Sequence, residues 1–165
     1  MPPIKAFTVT RRNLPHWQQP GSTYFLTWRA LTLMLEPDDR IITLNAILFW
    51  DARRWDVYAA VVMPDHVHVL VRPRPISPSS PEVFHSLSAI LHSVKGFTSH
   101  RINDRLNRSG CVWQDETYDR IMRDEEEFIE KWHYIRTNPV KAGLVATPEE
   151  YPWHYEAVYP MSGIR

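Results

Sequence analysis

Apolar residues occupy seven consecutive positions from Val57 to Met63. After Pro64-Asp65, the run His66 to Val71 (HVHVLV) is apolar at four of six positions. Two short runs joined by a proline-aspartate pair predict two strands, 56–63 and 66–71, in a tight hairpin. Tyr24 to Leu31 (YFLTWRAL) is rich in aromatics and predicts another strand. Pro37 followed by Asp38 and Asp39 marks a helix start. Ile41, Leu44, Ile47 and Leu48 then recur at helical spacing, so a helix is expected over 38–54. Residues 72–81 hold four prolines and read as a rigid loop. Apolar positions 83, 84, 87, 90, 91, 94 and 97 trace one face of a long helix over 82–105. A break at 107–110 precedes a short strand at 111–114. An acidic first turn opens a helix over 124–137, and Asn138-Pro139 ends it, because a residue before proline disfavours the α region. Pro139 then suits the first position of a new short helix capped by Asn138. The aromatic tail from Tyr151 is expected to dock on the body. The order β, α, β, β, α, β, α points to an α+β sandwich, an antiparallel sheet with its helices on one face.

Length and composition narrow the class. At 165 residues, the chain is one domain long. Residues 1–22, punctuated by Pro2, Pro3, Pro15 and Pro20, read as a basic extended arm ahead of a single domain over 23–165. Nineteen basic and nineteen acidic residues give zero formal charge, which excludes a globally basic nucleic-acid coat and an acidic disordered chain. A single cysteine, Cys111, excludes an internal disulfide and a multi-cysteine zinc site. No apolar run approaches the ~20 residues of a spanning helix, so a soluble cytoplasmic protein is expected. Nucleotide-binding and serine-hydrolase glycine motifs are missing from the sequence.

Candidate chemistry begins at His66-Val67-His68. Residues i and i+2 of a strand share a face, so the two imidazoles can share one metal ion. With eight histidines in the chain, such a pair arises readily by chance, and two surface histidines are the competing reading. The valine-rich surroundings favour buried or cleft-facing rings that need partners. Tyr134 and Asn138 are four apart and share a helix face. Tyrosine can act as a nucleophile when its ionisation is assisted. A core aromatic and a helix cap are the plainer alternatives. Charge is unevenly spread. Residues 1–29 carry Lys5, Arg11, Arg12 and Arg29 without an acid, and 91–108 carry Lys95, Arg101, Arg105 and Arg108 against Asp104. Either stretch can bind phosphates or can be a solvated face. Residues 115–130 carry eight acids against Arg120 and Arg123.

VVMPDHVHVLVRP (61–73) resembles the signature of the REP-associated tyrosine transposases, of the single-tyrosine HUH transposase superfamily. HSVKGFTSHRIN (92–103), VWQDETYDRIMRDEEEF (112–128) and YIRTNPVKAGLV (134–145) are similar to that family's later blocks, in the same order. PHWQQPGSTYFLTWR (15–29) is similar to the start of one branch.

The resemblance implies an RRM-like (ferredoxin-like) fold and recognition of single-stranded or hairpin DNA. His66, His68 and Asn138 match the family's metal site, for Mg²⁺ or Mn²⁺, and Tyr134 matches the catalytic tyrosine. The implied reaction is cleavage near a REP-type palindromic hairpin through a 5′-phosphotyrosine, with rejoining of strands. Arg11, Arg12, Lys95, Arg101 and Arg105 are the expected DNA-binding residues, whereas Trp113 and Gln114 are expected to be structural. A bacterial, nucleoid-associated monomer or homodimer is implied. Two alternatives stay open: a hairpin-binding module that does not cleave, and a metal-dependent hydrolase that does not use Tyr134.

Overall fold

The computed structural model describes residues 8–12 and 14–158, with side chains from Gln18 onward. Two strands, β1 (Thr8–Arg12) and β2 (Leu14–Gln18), pair antiparallel, with Arg11 opposite Pro15 and Arg12 opposite Leu14. The expected extended arm therefore contains a two-stranded ribbon. Gln18 fastens its end to the body: Nε2 donates to the His85 carbonyl and Oε1 accepts from the Leu87 N–H, both at 2.9 Å.

The body follows the predicted order. β3 (Tyr24–Ala30) leads to α1 (Pro37–Phe49), then to β4 (Trp55–Val62) and β5 (His66–Pro73). α1 stops five residues short of its expected end. Ala52 adopts φ 59°, a left-handed conformation incompatible with continued helix, and the N–H groups of Arg53 and Arg54 both turn back to the Trp50 carbonyl. Pro64 and Asp65 make the expected turn, closed by the Met63 N–H donating to the His66 carbonyl at 2.8 Å. This turn fixes the register of Val62 opposite Val67 and Val61 opposite His68.

Beyond β5 the structure departs from expectation. The proline-rich stretch is a small hairpin of β6 (Pro75–Ser77) and β7 (Ser80–Phe84), not an irregular loop. Short peripheral strands tolerate proline, because its missing N–H need not face a neighbour. The long helix α2 (Leu87–Leu106) consequently starts five residues late, capped by Ser86, whose hydroxyl accepts from the Ala89 N–H. It ends at Asn107, which takes the left-handed φ of 49°. The short strand expected at 111–114 is instead the nine-residue β8 (Trp113–Ile121).

α3 (Glu125–Lys141) runs through Asn138-Pro139 without stopping, so no new helix begins there. Proline removes one N–H and crowds the preceding turn, costing about 3 kcal/mol in a helix interior. Here it lies two residues from the helix end and is buried, which limits the lost bonding and adds apolar contact. A 3₁₀ turn, Pro148–Glu150, precedes β9 (His154–Glu156), so the aromatic tail docks as an edge strand.

The main sheet is antiparallel in the order β8-β3-β5-β4-β9. Its β3-α1-β4-β5-α2-β8 portion is the ferredoxin-like arrangement. Alternation along β5 splits the molecule into two layers. Val67, Val69 and Val71 face a core shared with Leu44 and Ile47 of α1 and Ile90 and Val94 of α2. Leu70, Phe25 and Val61 face a second cluster with Phe128 and Ile135 of α3. The helices are therefore not on one face: α3 covers the side opposite α1 and α2. Each fully buried aliphatic side chain contributes roughly 1.5–3 kcal/mol. No helix among the described residues is long and apolar enough to cross a membrane.

Candidate active site

His66 and His68 lie two residues apart on β5, on the α3 side of the sheet. Their rings are 4.7 Å apart. Each has one nitrogen engaged. Asp65 Oδ1 lies 2.6 Å from Nδ1 of His66. A carboxylate only accepts, so that nitrogen carries a proton, and in the neutral ring Nε2 keeps a lone pair. Thr27 Oγ1, from β3, lies 2.6 Å from Nδ1 of His68. The tautomer that donates to Thr27 likewise leaves a lone pair on Nε2 of His68. That Nε2 atom is buried and has no hydrogen-bond partner among the described residues.

Burial pushes the His68 imidazole down to about 3, and the neighbouring His66 ring and the charges of Arg29 and Lys131 add to the shift. His68 is thus neutral at physiological pH, the form that ligates a metal. Two imidazoles with free lone pairs, each oriented by an oxygen on its other nitrogen, fit a divalent cation. Asp65 also approaches Arg29, at 3.9 Å.

α3 brings the tyrosine. Ile135 and Phe128 bury one side of the helix against the sheet, and Tyr134 stands at its border, 37% exposed. Its ring is 5.2 Å from that of His68 and 5.9 Å from that of Phe25, both edge-on. Phe25 stacks on His68 at 5.3 Å, so one phenyl ring supports both. Asn138 follows one turn after Tyr134 on the same helix, and its carbonyl accepts from the Ala142 N–H at the helix end. Two lysines flank the phenol: the Nζ atoms of Lys131 and Lys141 lie 5.6 and 5.8 Å from its ring centre.

The candidate DNA-binding cations are scattered. Lys95 Nζ donates to the Gln114 carbonyl at 2.9 Å and approaches that of Asp115, binding α2 to β8. Burial lowers its pKa to about 8. Arg105 joins α2 to the start of α1 through Asp39 (2.7 Å) and Glu36 (2.9 Å). Arg101 is exposed on the same helix. The side chains of Arg11 and Arg12 lie outside the described residues. Trp113 is buried, its Nε1 donating to Thr98 at 2.8 Å, and Gln114 donates to the Ala30 carbonyl. Both match their structural reading.

Sequence reasoning missed Thr27, Phe25, Asp65 and Lys131, and named Arg29 only as part of a basic stretch. One signal was available: Lys131 precedes Tyr134 by three positions and so shares its helix face. Thr27 and Phe25 sit on a different strand, and only the β3–β5 register, with Thr27 opposite His68, brings them in.

Three comparisons bear on this arrangement. A family model described as transposase, IS200-like, matches residues 47–138, which include both histidines, Tyr134 and Asn138. A Haemophilus influenzae protein named as a REP-associated tyrosine transposase is 24% identical over 105 residues, covering 60% of this chain and 57% of that protein. The match thus spans little more than half of that relative's length. A solved structure of a REP-associated tyrosine transposase bound to a REP hairpin aligns with a TM-score of 0.71 at 20% identity, covering 94% of this chain and 92% of that one. At that identity the likeness speaks to the fold.

Proposed function

The chain belongs to the IS200-like transposase family, and from that premise we propose that it is a metal-dependent single-strand DNA endonuclease and strand transferase. It acts beside a hairpin of the REP palindromic type and works through Tyr134. The observation that carries this reading is the buried Nε2 of His68, without a partner among the described residues, beside the Tyr134 ring. A buried polar atom without a partner is unfavourable unless something binds it.

His66 and His68 would hold Mg²⁺ or Mn²⁺ through their Nε2 atoms, with the Asn138 amide oxygen completing the set. The bound cation supplies Lewis-acid polarisation of the phosphate and offsets charge on its oxygens. Asp65 and Thr27 hold the imidazoles in the ligating tautomer. Phe25 keeps the Tyr134 ring against His68. Tyr134 Oη gives up its proton and bonds to phosphorus, while the bond from phosphorus to O3′ breaks and O3′ takes up a proton. One phosphoester is exchanged for another, leaving a 5′-phosphotyrosine and a free 3′-OH. Attack by another 3′-OH reverses the step, so strands rejoin without ATP.

The hairpin partner is supported by the solved relative bound to a REP hairpin. The test is a labelled hairpin oligonucleotide with a single-stranded tail, incubated with Mn²⁺ and resolved on a denaturing gel. A protein–DNA adduct is expected, lost in Tyr134→Phe and in EDTA. An undiminished adduct in Tyr134→Phe removes the tyrosine from the mechanism. Binding without any adduct identifies a hairpin-binding module instead.

A further inference from the structure

We propose that Lys131 is the cation that seats the substrate phosphodiester at Tyr134. This inference rests on the DNA-transferase reading and adds a substrate-positioning residue to it. Lys131 lies one helical turn before Tyr134. Its Nζ is 5.3 Å from the Phe25 ring centre and 5.6 Å from that of Tyr134. Lysine and tyrosine here share one small space with the histidine pair.

The protein's own chemistry does not account for that placement. Lysine stems usually cover apolar surface while the ammonium reaches water. The Lys131 side chain is only 20% exposed, and its ammonium stands over the rings. Among the described residues its single ion-pair partner is Glu130, its chain neighbour, at 3.5 Å and with a side chain 70% exposed. Asp65, the carboxylate beside the histidines, is taken by His66 and Arg29. Lys131 and Lys141 therefore leave positive charge in excess around the Tyr134 ring. A phosphodiester carries the single negative charge that such a pocket lacks, in a half-buried site where the attraction is stronger than in water. An ammonium with three rotatable donors suits the non-bridging oxygens.

The test uses Tyr134→Phe protein in EDTA, so binding is read apart from cleavage. The probe is a fluorescein-labelled DNA hairpin with a single-stranded tail, titrated by anisotropy across a KCl series. One fewer phosphate contact on a single strand reduces the slope of log K against log[salt] by about 0.7. Lys131→Met, which keeps the stem, is expected to lose that amount, and Lys131→Arg to recover it. A thermal melt confirms that each variant is folded. A neutral methylphosphonate is then walked along the tail. At one position it should weaken the parent about fivefold or more and Lys131→Met less than twofold, the coupling a direct contact gives.

An unchanged slope in folded Lys131→Met overturns the proposal. So does a methylphosphonate walk in which both proteins respond alike at every position. If Tyr134 forms no adduct in the gel assay but the coupling is found, the transferase reading falls and the phosphate contact stands.

Discussion

At the scale of single residues, His68 holds the site together. It accepts support from Thr27 on one strand, stacks on Phe25 and touches Tyr134 with its edge. Its neutrality has a consequence for stability. In the fold the imidazole stays unprotonated down to about pH 3, whereas the unfolded chain takes the proton near 6.5. Between those values the unfolded state binds more protons, so acidification favours unfolding. Metal-free protein should lose stability as pH falls from 6.5 to 5, by up to about 1.4 kcal/mol per pH unit from this residue. His68→Gln should lose less over the same interval, as read from urea denaturation at each pH. Equal slopes in the two proteins would remove His68 as the source.

At the scale of elements, α2 divides its cations between structure and solvent. Arg105 clamps Asp39, which is fully buried, and removing one partner of such a pair strands a charge. Arg105→Ala is therefore expected to lower the melting temperature by several degrees and leave the salt slope of DNA binding unaltered. Arg101→Ala, at an exposed position, should leave the melting temperature unchanged. If Arg105→Ala instead melts like the parent and weakens binding, its contact with α1 is incidental.

The same elements show how far sequence patterns reach. The β4–β5 hairpin was legible because its apolar runs and Pro64-Asp65 agree. β8 was legible only at its start. Its inward residues Trp113, Thr117 and Ile121 lie four apart, and the intervening Gln114, Asp115, Glu116, Asp119 and Arg120 belong to a solvent-facing edge. β6 and β7 were hidden by prolines, and α3 passed Pro139 because tertiary burial outweighed a local penalty. The histidines and the tyrosine were legible from spacing and family resemblance. Their supporting shell depends on strand register, which no local pattern encodes.

At the scale of the whole molecule, zero net charge hides a division of labour. Acids gather around β8 and the start of α3, while Arg29, Lys131 and Lys141 gather around the histidine pair and Tyr134, Lys141 at the tyrosine ring. A cluster this small should give shallow salt dependence. With about three phosphates neutralised, the slope is near −2. A fourfold rise in KCl should then weaken hairpin binding by roughly tenfold to twentyfold. A fall of a thousandfold over that range would mean that many more cations take part, with the arm the first place to look.

The Pro64-Asp65 turn carries a consequence for how this molecule tolerates insertions and deletions. Side chains alternate along β5, so a single residue gained or lost there would send the imidazoles into the α1/α2 layer and valines toward Tyr134. The hydrophobic core and the reactive face would be exchanged in one step. Surface loops usually absorb such changes in length, but here the length of the turn is as much a part of the chemistry as the residues that perform it.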